Sequence, residues 1–201
     1  MPLCDHCINE LPITDFFSID ENPVEKIFWG RAPVLHAGAL LFFTKDSLVQ
    51  DLIAQLKYHH NKKVGILLGR LIGKEIAAAE KFNQIDLLIP IPIRSSKINS
   101  RGYNQSQVIA IGIKQVWNRP VETQVLLKKS WSNTQTKKNR SARLRQVPDL
   151  FVLQNAECIR GKNILIIDDV LTTGATLEAA IVCLMTGDPA SVSIAVAAYT
   201  L

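Results

Sequence analysis

Apolar residues recur along this chain with two different periods, and the switches between them lay out its elements. Leu48, Val49, Leu52, Ile53 and Leu56 form one stripe at helical spacing, which predicts a helix. Asp46 would cap it, and Lys57-Tyr58-His59-His60-Asn61 would be its polar end. Leu67, Leu68, Leu71, Ile72 and Ile76 predict a second helix over 64–80. A third runs from about Asn104 to Trp117, with Val108, Ile111 and Val116 apolar, and a fourth covers Leu177 to Met185. Gly187 would cap that last helix and Pro189 stop it. Between the helices lie aliphatic runs at 34–43, 85–91, 150–153, 163–167 and 191–199, with a short one at 124–127. Uninterrupted aliphatic runs predict strands buried on both faces. Pro90 and Pro92 stop the second run, because proline cannot donate to a ladder. Strands alternating with helices give a Rossmann-like α/β fold, a mainly parallel sheet flanked by helices. Residues 8–33 keep no period and carry Pro12, Pro23 and Pro33, which predicts an irregular connector with one helical turn. The expected division is therefore a Cys-containing N-terminal segment over 1–33 and an α/β domain over 34–201.

The run Asn163-Ile164-Leu165-Ile166-Ile167-Asp168-Asp169-Val170-Leu171-Thr172-Thr173-Gly174-Ala175-Thr176 concentrates the chemistry. Two carboxylates stand where the aliphatic strand should end, a Thr/Gly turn follows, and a helix then opens. In open parallel sheets ligands bind at the carboxyl ends of the strands. A helix N-terminus offers N–H groups and a positive dipole end to an anion. Small residues let the backbone close around a phosphate, and Thr hydroxyls add donors. A solvated Asp-Asp turn and an ordinary helix cap are the plain alternatives, but the whole run together points to a sugar phosphate. The acids would hold hydroxyls or a metal.

A second anion site is expected after the strand that ends at Pro92, where Arg94, Lys97 and Arg101 sit in a loop rich in hydroxyls. The net charge of +5 is uneven. Residues 123–148 hold Lys128, Lys129, Lys137, Lys138, Arg140, Arg143 and Arg145 without an acid, a local +7 that leaves −2 elsewhere. Such a segment suits pyrophosphate, nucleic acid or water alone, and Trp131 in it could stack a base of single-stranded DNA.

Cys4 and Cys7 have the C-x-x-C spacing of a metal half-site. Zinc takes four ligands, so the pair is either half of a zinc site, with His6 as an awkward third ligand, or two free thiols. Hydrophobic content of 47% and charged content of 20% describe a soluble globular protein. No uncharged apolar run is long enough to span a bilayer, no leader peptide is evident, and four cysteines suit a reducing compartment, so a cytoplasmic location is expected.

Ile166 to Thr176 resembles the phosphoribosyl pyrophosphate signature of type I phosphoribosyltransferases: aliphatics, two acids, then Thr-Thr-Gly-x-Thr. Ile89-Pro90-Ile91-Pro92 leading to Arg101-Gly102-Tyr103-Asn104-Gln105, then Gln135, Arg143, Gln146, Val147 and Phe151, resemble more narrowly the ComF family linked to DNA uptake and natural competence. The resemblance implies that Asp168 and Asp169 bind the ribose hydroxyls, with or without magnesium, that magnesium accompanies phosphoribosyl pyrophosphate, and that Thr172, Thr173, Gly174, Ala175 and Thr176 wrap the 5-phosphate. Arg94, Lys97 and Arg101 would face the pyrophosphate, with Arg101 beside the two acids in catalysis. Gln135, Arg140 and Arg143 would belong to a lid over 131–145. ComF proteins usually begin with two Cys pairs forming a zinc ribbon, and only Cys4 and Cys7 match here. Two functions follow from the resemblance. One is a phosphoribosyltransferase of unread acceptor. The other is a non-catalytic sensor of phosphoribosyl pyrophosphate that partners single-stranded DNA and uptake proteins. The oligomeric state, a dimer among the options, is open.

Overall fold

A computed structural model describes residues 3–129 and 149–200. Four strands form the central sheet: β1 (Ala37–Phe43), β2 (Leu87–Pro90), β5 (Asn163–Leu171) and β6 (Ser191–Thr200). Their order is β1-β6-β5-β2, and every pairing is parallel. The two short runs at 124–127 and 150–153 do not join it. They form β3 (Leu126–Lys128) and β4 (Phe151–Leu153), an antiparallel pair of their own.

Seven helices accompany the strands among the described residues: α1 (Asp5–Asn9), α2 (Pro23–Lys26), α3 (Leu48–Tyr58), α4 (Lys62–Ala78), α5 (Ser95–Arg101), α6 (Gln105–Lys114) and α7 (Ala175–Met185). The sheet is covered on both sides, as its aliphatic runs require. Leu165 and Ile167 of β5 face a core made with Leu52 and Leu56 of α3, Leu68 and Ile72 of α4, and Ile109 and Ile113 of α6. Ile164 and Ile166 face the other core, shared with Leu177, Ile181 and Leu184 of α7. Each fully buried aliphatic side chain of this size contributes about 1.5–3 kcal/mol.

Four local expectations are corrected. Ser47, not Asp46, caps α3, its Oγ accepting from the Gln50 N–H at 3.2 Å; Asp46 takes a left-handed turn at φ 55° instead. The cationic stretch after Pro92 is helical over Ser95–Arg101 and closes with the Gly102 N–H donating to Ile98 O. In α6 the inward residues are Val108, Ile109 and Ile113, the face that packs on Gly69 of α4, while Ile111 is exposed, as is Val116 just beyond the helix. After α7 it is Asp188 that turns left-handed, and Thr186 takes the cap position in place of Gly187.

Residues 11–28 are better organised than an irregular connector. Phe17 and Leu11 are buried in the core on the α4 side, and Phe16, Val24 and Phe28 in the core on the α7 side. Ile13 bridges Leu41, so this stretch also covers the free edge of β1. Asn22 ties it down: its buried amide donates to Phe16 O, Ile19 O and Ala37 O at 2.8–3.0 Å, and its Oδ1 accepts from the Val24 and Glu25 N–H groups. At the opposite edge Val121 bridges Leu88 of β2.

Candidate functional site

The two acids are delivered by β5, which does not stop before them. Its ladder with β6 continues through Asp168↔Val196 to Leu171↔Tyr199. The carboxylates therefore stand within the last turn of the ladder, on rigid backbone. Asp168 Oδ1 accepts from the Ser106 hydroxyl and from the Asp169 N–H, each at 2.9 Å. Asp169 Oδ2 lies 3.1 Å from the ammonium of Lys57, at the end of α3. Burial, reinforced by the Asp169 charge, pushes the Asp168 carboxyl up to about 7, although the Asp169 N–H, Ser106 and Lys57 all pull it down.

Thr172, Thr173 and Gly174 turn the chain from β5 into α7, and Ala175 and Thr176 open that helix. Gly174 sits at φ 76°, and a Cβ there would stand 2.9 Å from Ile27 Cγ2. Both the handedness and the packing demand glycine. Together with Asp168, Val170, Leu171 and Leu177, these five residues line a small cavity of ≈ 50 Å³.

A larger cleft of ≈ 370 Å³ adjoins it, sharing Asp168 and Thr176. Arg94, Lys97 and Arg101 line this cleft together with Asp168 and Asp169, so the structure brings the second cationic stretch and the acids to one place. Lys57 and Lys128 also line it. Five cations against Asp168 and Asp169 leave the lining of the cleft net positive, a field that favours an anion. Burial holds the Lys128 ammonium below its ordinary range; the Asp168 charge opposes that, and Arg94 and Lys97 add to it. Ile91, Pro92, Ile93 and Leu150 supply an apolar wall. Arg101 is fixed by its Nη1 donating to Gln105 Oε1 at 3.1 Å and by the Tyr58 ring, 5.6 Å from its guanidinium carbon.

Sequence reasoning missed four contributors. Lys57 read as part of a polar helix end, Lys128 as part of a basic segment, and Ser106 went unmarked within the helix expected from about Asn104. Arg31 carried no signal, because its partners lie more than 140 residues away. Its Nη1 donates to Thr173 O at 3.0 Å, and its Nε donates to Glu178 Oε2 at 3.1 Å. The N-terminal stretch thus braces the turn through Arg31, Ile27 and Phe28. Arg31→Ala is expected to speed amide exchange at Gly174 and Ala175 about tenfold, the equivalent of one lost hydrogen bond to a charged group. Unchanged exchange there would remove the brace.

Gln135, Arg140 and Arg143 lie outside the described residues. Cys4 and Cys7 sit together at the start of α1, where the Cys7 N–H and thiol hold the Cys4 thiol below its ordinary range and the hydrogen bond with Cys4 pushes Cys7 up. Among the described residues no third His, Cys, Asp or Glu ligand joins them. His6 instead lies 3.3 Å from Glu10. The pair does not make a four-coordinate zinc site on its own. In the one trio that does cluster among the described residues, Asp20 and Glu25 hold the Lys81 ammonium at 3.1 and 3.5 Å, and His36 lies 3.9 Å from Glu25. Among the described residues no helix is long and apolar enough to cross a membrane.

Comparison with known proteins bears on this geometry. The phosphoribosyl transferase domain family matches residues 54–200. The DNA utilization protein YhgH of Salmonella typhimurium is 30% identical over 135 residues, 63% of this chain and 56% of that protein. The competence protein ComFC of Bacillus subtilis is 35% identical over 108 residues, 53% of this chain and 42% of its own length. The chain spans about half the length of the curated relatives it matches. Among solved structures, the glutamine phosphoribosylpyrophosphate amidotransferase of B. subtilis, complexed with ADP and GMP, superposes on 71% of this chain and 30% of its own, with 17% identity and a TM-score of 0.48.

Proposed function

The chain belongs to the phosphoribosyltransferase domain family, grouping there with ComF proteins, and from that premise we propose that its twin cavities bind phosphoribosyl pyrophosphate with magnesium. One observation carries the reading: a small backbone-lined cradle and a cation-lined cleft meet at Asp168 and Thr176. A ligand with a phosphate at one end and a pyrophosphate at the other suits that pair. Thr172 to Thr176 take the 5-phosphate with backbone N–H groups and hydroxyls. Arg94, Lys97 and Arg101, joined by Lys128, take the pyrophosphate. Asp168 and Asp169 hold the ribose hydroxyls between them.

The donor set fits magnesium. Two adjacent carboxylates, one of them driven up by burial and by its neighbour's charge, form a hard oxygen site with too little positive charge of its own. Bound there, the ion would neutralise charge on the departing pyrophosphate and on the hydroxyl oxygens. The protein's own part is positional and electrostatic. The cationic wall stabilises the leaving group as the bond to the anomeric carbon stretches. Ser106 and the Asp169 N–H keep Asp168 aimed at the sugar. The apolar wall of Ile91, Ile93 and Leu150 limits water near an oxocarbenium-like centre.

A role in DNA uptake is part of the proposal, supported by the competence and DNA-utilization names of the relatives. The ligand assignment is tested by thermal unfolding with phosphoribosyl pyrophosphate, ribose 5-phosphate or pyrophosphate, each with magnesium. At about a hundred times its dissociation constant, the complete ligand should stabilise by ~2.7 kcal/mol. Either fragment at the same concentration should do much less. Equal shifts from ribose 5-phosphate and the complete ligand would sink the two-cavity reading.

A further inference from the structure

Lys57 touches Asp169, lines the cationic cleft, and belongs to neither the turn nor the stretch after Pro92. Its ammonium lies 3.1 Å from Asp169 Oδ2, and the two side chains are only 22% and 13% exposed. The backbone on either side of it is clamped. Tyr103 Oη donates to Leu56 O at 2.6 Å, and His60 Nδ1 lies 2.8 Å from Arg101 O. The end of α3 is therefore fixed to the segment that joins α5 and α6, and only the lysine stem is left to swing.

Placed this way, the ammonium stands on a carboxylate that a divalent cation needs. Two cations on one carboxylate oxygen repel, so metal and Lys57 compete for Asp169. An ammonium is a compact cation on a flexible stem and can change partner without losing a fixed fork geometry. The nearest alternative partner is whatever anion fills the cleft that Lys57 already lines.

We propose that Lys57 is a displaceable internal cation, which holds Asp169 until a divalent ion takes that carboxylate and then serves as a ligand for the diphosphate group in the cleft. This rests on the phosphoribosyl pyrophosphate reading above. It adds to that reading a binding residue and an order: the metal binds against Lys57 when alone, and with Lys57 when the diphosphate is present.

The test pairs two probes on the full chain at pH 8. Manganese(II) alone is titrated by electron paramagnetic resonance, which counts free ion and needs no turnover. Inorganic pyrophosphate with magnesium is titrated by calorimetry. In Lys57→Met the metal alone should bind about threefold to tenfold tighter, since a competitor is gone. Magnesium pyrophosphate should bind about tenfold weaker, since a charge-assisted contact is gone. Lys57→Arg keeps the charge and should return both values toward those of the native chain. Circular dichroism and melting curves of each variant establish that the fold is intact.

Opposite shifts in Lys57→Met establish the exchange. Both affinities falling together would make Lys57 a support for Asp169 and overturn it, as would two unchanged affinities. If the native chain bound neither probe, the phosphoribosyl pyrophosphate reading itself would fail and take this inference with it. Native binding with shifts of the same sign would fail the inference alone.

Discussion

Asp168→Asn should raise the melting temperature of the protein at pH 8 while weakening magnesium-dependent ligand binding. The substitution keeps an oxygen that can accept from Ser106 and from the Asp169 N–H, the two bonds that aim the group. It removes a charge that burial and Asp169 both oppose. The sign of the pH dependence follows from the raised value. The Asp168 carboxyl is pushed up to about 7 when folded and returns to the ordinary 3.8 when unfolded. Its contribution to stability is then fully present below about pH 4 and is lost as pH rises through 7. Asparagine does not titrate. The advantage of the variant should be absent near pH 4, grow between pH 4 and 7, and level off above that at about 4 kcal/mol, a gain of roughly 8–16 °C for a chain of this size. A variant advantage that stays flat with pH would mean that the charge of Asp168 is not what is strained. Residues that serve binding are often those that cost stability, and this one would be such a case.

Gly69→Ala should be among the most damaging single-methyl additions in the chain. A Cβ on Gly69 of α4 would stand 2.1 Å from Ile109 O and 2.8 Å from the Gly112 Cα of α6. Both are backbone atoms and neither can rotate away, so the helices must separate. The expected cost is about 3 kcal/mol, at the upper end for overpacking. Gly73→Ala, one helical turn later, is the internal control. There the closest atom is Ile113 O at 3.1 Å, and the cost should be about 1 kcal/mol or less. Denaturant midpoints of the two variants measure the difference, and equal values would contradict the close crossing. The consequence reaches the site, because α6 begins at Gln105 and its Ser106 holds Asp168. A shifted α6 loosens the carboxylate from a distance.

These two effects also show what a sequence does and does not make legible. The aliphatic run before Asp168 is a local pattern, and the strand buried on both faces that it predicts is there. So are the parallel sheet and the Thr-Gly turn into a helix, because period and turn chemistry act over a few residues. The extension of β5 through Asp169 was not legible, since it depends on β6 running alongside to Thr200. The helix over Ser95–Arg101 was hidden by polar residues that suit a loop equally well. Lys57, Ser106, Lys128 and Arg31 each look ordinary in their own neighbourhood. They become site residues only when segments as much as 142 residues apart are folded together. Residue type and spacing cannot report such a meeting. The crossing of Gly69 and Gly112 is of the same kind.

The central claim is that Asp168 and Asp169 sit where the phosphate cradle and the cationic cleft share one ligand. Calorimetric titration of phosphoribosyl pyrophosphate with magnesium tests it most directly, on the native chain and on Asp168→Asn/Asp169→Asn. Saturable heat near one equivalent in the native chain, with affinity weakened about a hundredfold or more in the double variant, is the predicted result. Equal heats from both proteins, or none from either, would contradict it.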